Sequence, residues 1–329
     1  MGTCPRFLNG DNDNMLILFF YRLPGARWRE KSSQLEKALV AYSKLEIEYG
    51  PVSKQSPVLS LHTISAERMT DSVWKIGTYY RDRRAGCFQD YVVVPEHTVT
   101  HIPENMSFES AACLGVCGLT AAMTLWKWLD VDVGPPTLSP PPSPGCEEYI
   151  LIWGGSSITG QFAIQLAAQS GLNVIAVTSK KNRELMTKLG ATHVVTRDGK
   201  TGDELIEEIR ELGRNRITRG IDLAGAETVD LAIRCLSTDR RALFAPVALM
   251  SSRQVVPKNV SVRHIEMKQF VLDPSTSVYA EYLTRAIASG RIRLPVVEVL
   301  QGGLDVVPEG LDRLKKGLMN GRKLVVSMR

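Results

Sequence analysis

Two short runs have the residue types and spacing to bind a phosphorylated ligand. The first is Gly154, Gly155, Ser156, Ser157, Ile158, Thr159 and Gly160, and the second is Ser179, Lys180, Lys181 and Asn182. A glycine turn at the start of a helix lets backbone N–H groups approach a pyrophosphate, and the positive end of the helix dipole favours the anion. The spacing departs from the G-x-G-x-x-G pattern of many dinucleotide sites, because glycine stands at 154, 155 and 160. NAD-specific sites place an Asp or Glu at the end of the next strand to bind the ribose 2′-hydroxyl. Here Thr178 is followed by a serine, two lysines and an asparagine. Lysines and a hydroxyl suit a 2′-phosphate, which a carboxylate would repel, so NADPH is expected rather than NADH. The plainer alternatives are a structural glycine turn and a solvated pair of surface lysines.

The elements around these runs must position them. Tyr149 to Trp153 is a short apolar run suited to a strand buried on both faces of a parallel sheet. Gly160 to Gln169 is too densely apolar for a one-sided amphipathic helix and suits a helix lying on a sheet. Gly171 closes it, and Val174 to Val177 is the next strand, which completes a βαβ unit. The alternation continues with a helix over 184–189, a strand over 193–196 and a helix over 202–212. Strands over 221–224 and 242–247 follow, around a helix over 228–236, and then comes a helix over 279–289. The fold class read from this order is α/β, with a Rossmann-like doubly wound parallel sheet.

Upstream, Trp74 to Tyr80 and Phe88 to Val94 read as paired strands, and Ser107 as the N-cap of a helix running toward Gly115. Residues 1–72 read as an irregular cap without a chemical motif, with a candidate strand at Met15 to Tyr21 and apolar residues at helical spacing over Arg29 to Glu48. Residues 134–145, GPPTLSPPPSPG, form an extended surface loop, since proline removes backbone donors and fixes φ.

With 329 residues, 44% of them hydrophobic and 23% charged, the chain has the composition of an ordinary globular protein of about two domains. The net charge of +5, from 40 basic and 35 acidic residues, is scattered, so no nucleic-acid surface is expected. The run Met15 to Tyr21 is too short to span a bilayer, and no membrane association is expected. Six dispersed cysteines indicate a reducing compartment and cytoplasmic location. Zinc would need clustered Cys, His and carboxylate ligands, and none is spaced for it. Cys113 and Cys117 share a helix face but read as core thiols, and the five histidines are isolated in sequence.

Gly86 to Ala122, GCFQDYVVVPEHTVTHIPENMSFESAACLGVCGLTAA, resembles a segment of the medium-chain dehydrogenases/reductases, in their zinc-free quinone-reductase-like branch. Leu294 to Val326, LPVVEVLQGGLDVVPEGLDRLKKGLMNGRKLVV, is similar to the ending of trans-acting enoyl reductases of fungal polyketide biosynthesis. With WGGSS and SKKN the similarity covers about Val73 to Arg329. Residues 1–72 lack the early motifs V-A-L-N-P-x-D-x-K and G-x-D-x-x-G that such families carry.

The resemblance implies a GroES-like β-rich catalytic domain, truncated or altered, beside the Rossmann-like one. Its N-terminal part would span 1–124, with 1–72 atypical. The NADPH-binding domain would span 125–272, and 273–329 would return to the catalytic domain. By resemblance Ser156 to Thr159 would meet the pyrophosphate and Ser179 to Asn182 the adenosine phosphate, with Arg197 near the adenosine. Phe244, Ala245, Leu324 and Val325 would approach the nicotinamide. Gly115, Val116, Cys117, Gly118, Leu119, Thr120, Ala121 and Ala122 would line the substrate side, and Thr120 is the one polar candidate there for catalysis. The implied activity is NADPH-dependent reduction of an α,β-unsaturated thioester held by a partner polyketide synthase or hybrid synthase, without metal, by a monomer or homodimer. Two alternatives stand beside it: a quinone or carbonyl reductase of the same superfamily, and a non-catalytic partner protein retaining the cofactor domain.

Overall fold

The computed structural model describes residues 73–75, 95–103, 106–132 and 148–327, all within one compact unit. Strand β1 (Val73–Lys75) pairs antiparallel with β2 (Val99–His101), which follows a single 3₁₀ turn at Glu96–Thr98. The three-residue β2 was not anticipated from its sequence, and the expected strand over 88–94 lies outside the described residues. So do 76–87, 134–145 and the whole of 1–72, with the strand and helix expected there. Of the expected β-rich domain, the described residues hold β1, β2 and the C-terminal strands introduced below.

Ser107 caps the next helix as expected, its hydroxyl accepting from the Ser110 N–H at 3.2 Å. The helical run α1 (Phe108–Trp128) widens to π spacing at Leu114–Gly118 and again at Thr124–Trp128. There Gly118 N donates to Cys113 O at 3.3 Å and Leu129 N to Thr124 O at 3.0 Å. By length and composition α1 could cross a membrane, but here it is a core helix: Leu114, Leu119, Met123 and Leu125 are fully buried.

The βαβ unit forms where the sequence places it. β3 (Tyr149–Trp153), α2 (Ile158–Gln169) and β4 (Asn173–Thr178) lead into α3 (Arg183–Lys188), β5 (His193–Thr196) and α4 (Gly202–Gly213). β6 (Ile217–Asp222), α5 (Ala226–Cys235), β7 (Ala242–Pro246) and β8 (Val260–Val262) follow. These strands form one six-stranded sheet in the order β5-β4-β3-β6-β7-β8, with every neighbouring pair parallel. The strand period of two sends Ile150, Ile152, Val174 and Ala176 to one face, where α1, α2 and α7 (Ser277–Ala288) cover them. Leu151, Trp153, Ile175 and Val177 go to the other face, under α4 and α5. Both faces are therefore apolar, which explains runs without polar alternation. This is a doubly wound α/β fold, as the sequence order implied.

Strand β6 begins four residues before its expected start at Ile221 and ends at Asp222. Thr218, Arg219 and Gly220 mask it in sequence, yet the last two have a structural reason. The Arg219 guanidinium lies on Glu148 and its Nε donates to Leu129 O at 2.9 Å, while Gly220 leaves room for Leu236 and Phe244, which a Cβ there would approach to 3.0 Å. The early end follows from Asp222, whose carboxylate accepts from the N–H groups of Ala224 and Gly225 at 2.9 and 3.0 Å and turns the chain out of the sheet.

After β8 come α6 (Lys268–Leu272) and α7, then β9 (Val297–Gln301), α8 (Val307–Lys315) and β10 (Lys323–Ser327), with β9 and β10 parallel. Three glutamines one helical turn apart fasten this returning segment to α2. Gln161 Nε2 donates to Gly321 O at 2.7 Å, Gln169 Nε2 to Arg291 O at 2.7 Å, and Gln165 exchanges two bonds with the Arg293 backbone, at 3.1 and 2.7 Å.

Candidate functional site

The sheet order reverses between β3 and β6, and in open α/β sheets ligands bind at such a switch point, outside the carboxyl ends of the strands. The turn leaving β3 lies there. Gly154 takes a φ of +85°, which a side chain would resist, and Gly154 N and Gly155 N both donate to Val177 O, at 3.1 and 3.0 Å. Ser157 then caps α2, its Oγ accepting from Gly160 N at 3.1 Å. Gly160 sits so close to the turn that a Cβ would stand 2.6 Å from the Gly154 oxygen and 2.7 Å from the Gly155 oxygen. The glycine at 160 is thus a packing requirement, which draws the first N–H groups of α2 up to the end of β3.

The loop after β4 adjoins this turn. Thr178 is 3% exposed, and its hydroxyl has no hydrogen-bond partner among the described residues. Ser179 opens a 3₁₀ turn, Lys180–Asn182, and accepts through Oγ from Asn182 Nδ2 at 3.2 Å. Both lysines are exposed, Lys181 being held by the side-chain carbonyl of Asn320. The Lys180 N–H donates to the carboxylate of Asp198, which fastens the loop to the end of β5. Arg197 N donates to Thr178 O at 3.0 Å while its side chain is exposed. Two exposed cations and a helix N-terminus on adjoining turns, with a buried hydroxyl beneath them, fit a phosphorylated dinucleotide.

The stretch Gly115–Ala122 runs from within the first π turn of α1 into the next helical turn and packs against α2. A Cβ on Gly118 would touch the Phe162 ring at 3.6 Å, so the stretch lies against the first half of α2. Thr120 is 5% exposed and Cys117 half-buried, with Lys323 Nζ donating to the Cys117 sulfur at 3.7 Å. Burial pushes the Cys113 thiol up to about 12, so it stays protonated and inert at neutral pH. Leu324 lies against Gly310, and Val325 packs on Ala112.

Phe244 and Ala245 lie two strands from β3 and face opposite sides of the sheet. The Phe244 ring is sealed against Gly220 in the core, and its backbone carbonyl accepts from Arg263 N at 2.7 Å. Among the described residues no group of three or more His, Cys, Asp or Glu side chains could hold a metal ion. Sequence reasoning missed Gln161, beside the glycine turn, and Asp198, Asn320 and Gly321, which hold the two turns from distant positions. The Asn320-Gly321 pair carried a turn signal, and the four-residue spacing of the glutamines a helix-face signal.

A family model described as zinc-binding dehydrogenase matches residues 159–287. The chain is 32% identical over 246 residues to the trans-enoyl reductase himH of Aspergillus japonicus, covering 73% of this chain and 68% of the relative. The chain belongs to the medium-chain dehydrogenase/reductase superfamily. Within the medium-chain reductases it stands close to the fungal trans-enoyl reductases: traG of Penicillium crustosum is 29% identical over 301 residues, 84% of this chain and 80% of the relative. The medium-chain fold is also that of a mycobacterial protein solved in complex with NADPH. That structure matches with a TM-score of 0.59 at 20% identity, over 75% of this chain and 71% of the other.

Proposed function

We propose that this medium-chain reductase is an NADPH-dependent, trans-acting enoyl reductase, working without metal on an α,β-unsaturated polyketide thioester carried by a partner synthase in the cytoplasm. The observation that carries the reading is that relatives covering most of the chain are named trans-enoyl reductases. The cofactor follows from the cation-bearing loop after β4. When bound, the reduced nicotinamide supplies a hydride for the β-carbon of the enoyl group, and the α-carbon is then protonated. The chain binds and orients. In this reading the turn from Gly154 to Gly160 receives the pyrophosphate, and Ser179 to Asn182 receive the 2′-phosphate, with Arg197 beside the adenosine. The end of β7 at Phe244 and Ala245, with Leu324 and Val325, flanks the nicotinamide. Gly115 to Ala122 line the substrate side and exclude water, with the Thr120 hydroxyl as their polar group. The division into 1–124, 125–272 and 273–329 belongs to the same reading.

The test is oxidation of NADPH by the purified full chain, offered an enoyl thioester of a small acyl-carrier mimic or a simple quinone. Turnover with the thioester and not with the quinone is expected. Turnover with the quinone alone would overturn the substrate class, and failure to bind NADPH in a fluorescence titration would overturn the cofactor assignment as well.

A further inference from the structure

Three separate parts of the chain meet beside Lys181. Asn320 adopts a left-handed backbone with φ of +48°, which asparagine accepts more readily than most residues, and its side-chain oxygen takes the Lys181 ammonium. The next residue, Gly321, gives its carbonyl to Gln161 Nε2 at 2.7 Å, and the same nitrogen also donates to Ser156 O at 3.1 Å. Gln161 is 2% exposed, so this amide is a buried bolt between the turn preceding β10 and the turn preceding α2. A Cβ on Gly321 would stand 3.5 Å from Ser156 O and 3.6 Å from Asn182 Oδ1. The segment Asn320-Gly321 is therefore a wall shared by the glycine turn and the loop after β4.

We propose that Asn320 is a cofactor-selecting residue that presets Lys181 for a 2′-phosphate. Lysine only donates, so the Asn320 oxygen must face it, and this leaves the Asn320 amide nitrogen as a further donor for a phosphate oxygen. An exposed lysine otherwise samples many rotamers, and holding it in advance lowers the cost of ordering it on binding. The bolt at Gln161 fixes the wall that carries Asn320. The inference rests on the NADPH reading, and the experiment separates the two.

The full chain and its Asn320→Gly and Asn320→Asp variants are titrated calorimetrically with adenosine 2′,5′-bisphosphate and with adenosine 5′-diphosphate. Glycine accepts the left-handed backbone, so the first variant removes the amide without straining the turn. Aspartate keeps an acceptor for Lys181 but puts a negative charge beside the phosphate, so a merely structural role would be rescued by it. The wild-type chain is expected to prefer the 2′-phosphorylated probe. Asn320→Gly should weaken that probe roughly tenfold and Asn320→Asp further, with binding of the 5′-diphosphate unchanged in both. A wild-type chain with no preference for the 2′-phosphate, or binding neither probe, would overturn the NADPH reading and this inference with it. A preference that survives both variants, or a loss shared equally by both probes, would overturn the role of Asn320 alone.

Discussion

At the scale of single residues, the structure separates charges that can serve a ligand from those consumed by the fold. Among the described residues no carboxylate pairs with the exposed side chains of Lys180 and Lys181, so the fold does not neutralise their positive charge. Replacing both with alanine should weaken NADPH by roughly 10- to 100-fold, since a charge-assisted hydrogen bond contributes about 1.5–3 kcal/mol, and leave NADH unchanged. Parallel titrations with the two cofactors check this, and equal losses would remove the lysines from the 2′-phosphate. Asp222 is the opposite case. It is wholly buried at the switch point, yet Ala224, Gly225 and the Thr228 hydroxyl, at 2.6 Å, take up its oxygens. Burial raises its pKa above the ordinary 3.8, against the pull of those three donors. The unfolded chain therefore ionises first as pH rises past 3.8. This residue's contribution to stability falls from that point until the raised native value is reached, then levels off. Asp222→Asn should keep the turn and remove that slope, as denaturant melts across a pH series would show.

At the scale of elements, the glycine turn and α2 depend on a close approach that only one residue type permits. Gly160→Ala would force a methyl to within 2.7 Å of two carbonyl oxygens, so the turn or the helix must shift. A loss of about 2–4 kcal/mol is expected in denaturant unfolding, together with weaker dinucleotide binding, because the displaced N–H groups are the proposed pyrophosphate donors. The sheet's alternation of strands and helices was legible because each central strand is buried on both faces and reads as an unbroken apolar run. β6 was misjudged because its polar residues are satisfied by groups far away in sequence: Arg219 reaches Glu148 and the Leu129 carbonyl. β2 and β8 were missed because three residues carry too little pattern to register. The candidate site was half legible. Its glycines and lysines are contiguous in sequence, whereas Asp198, Asn320 and Gly321 enter only through tertiary contacts.

At the scale of the whole molecule, the face of α2 that carries Gln161, Gln165 and Gln169 joins the nucleotide-binding sheet to the segment leading into β10. Gln165 is 5% exposed and bonds the Arg293 backbone through both ends of its amide, and its Nε2 also donates to Gln161 O at 3.1 Å. An apolar side chain of similar size would leave the part-buried Arg293 N–H and carbonyl without these partners, at about 1–3 kcal/mol for each group stranded. Gln165→Leu should therefore lower stability by about 2–4 kcal/mol. Gln161→Leu should cost less, because only the amide's two donor bonds are lost. Both glutamines hold the same returning segment, so once one is gone the other anchors a segment already loosened. The double variant should accordingly fall short of the sum of the single losses by about 0.5–2 kcal/mol. Strict additivity in a double-mutant cycle of denaturant unfolding would show that Arg293 and Gly321 are held independently. The Asn320-Gly321 wall would then rest on Gln161 without support from Gln165.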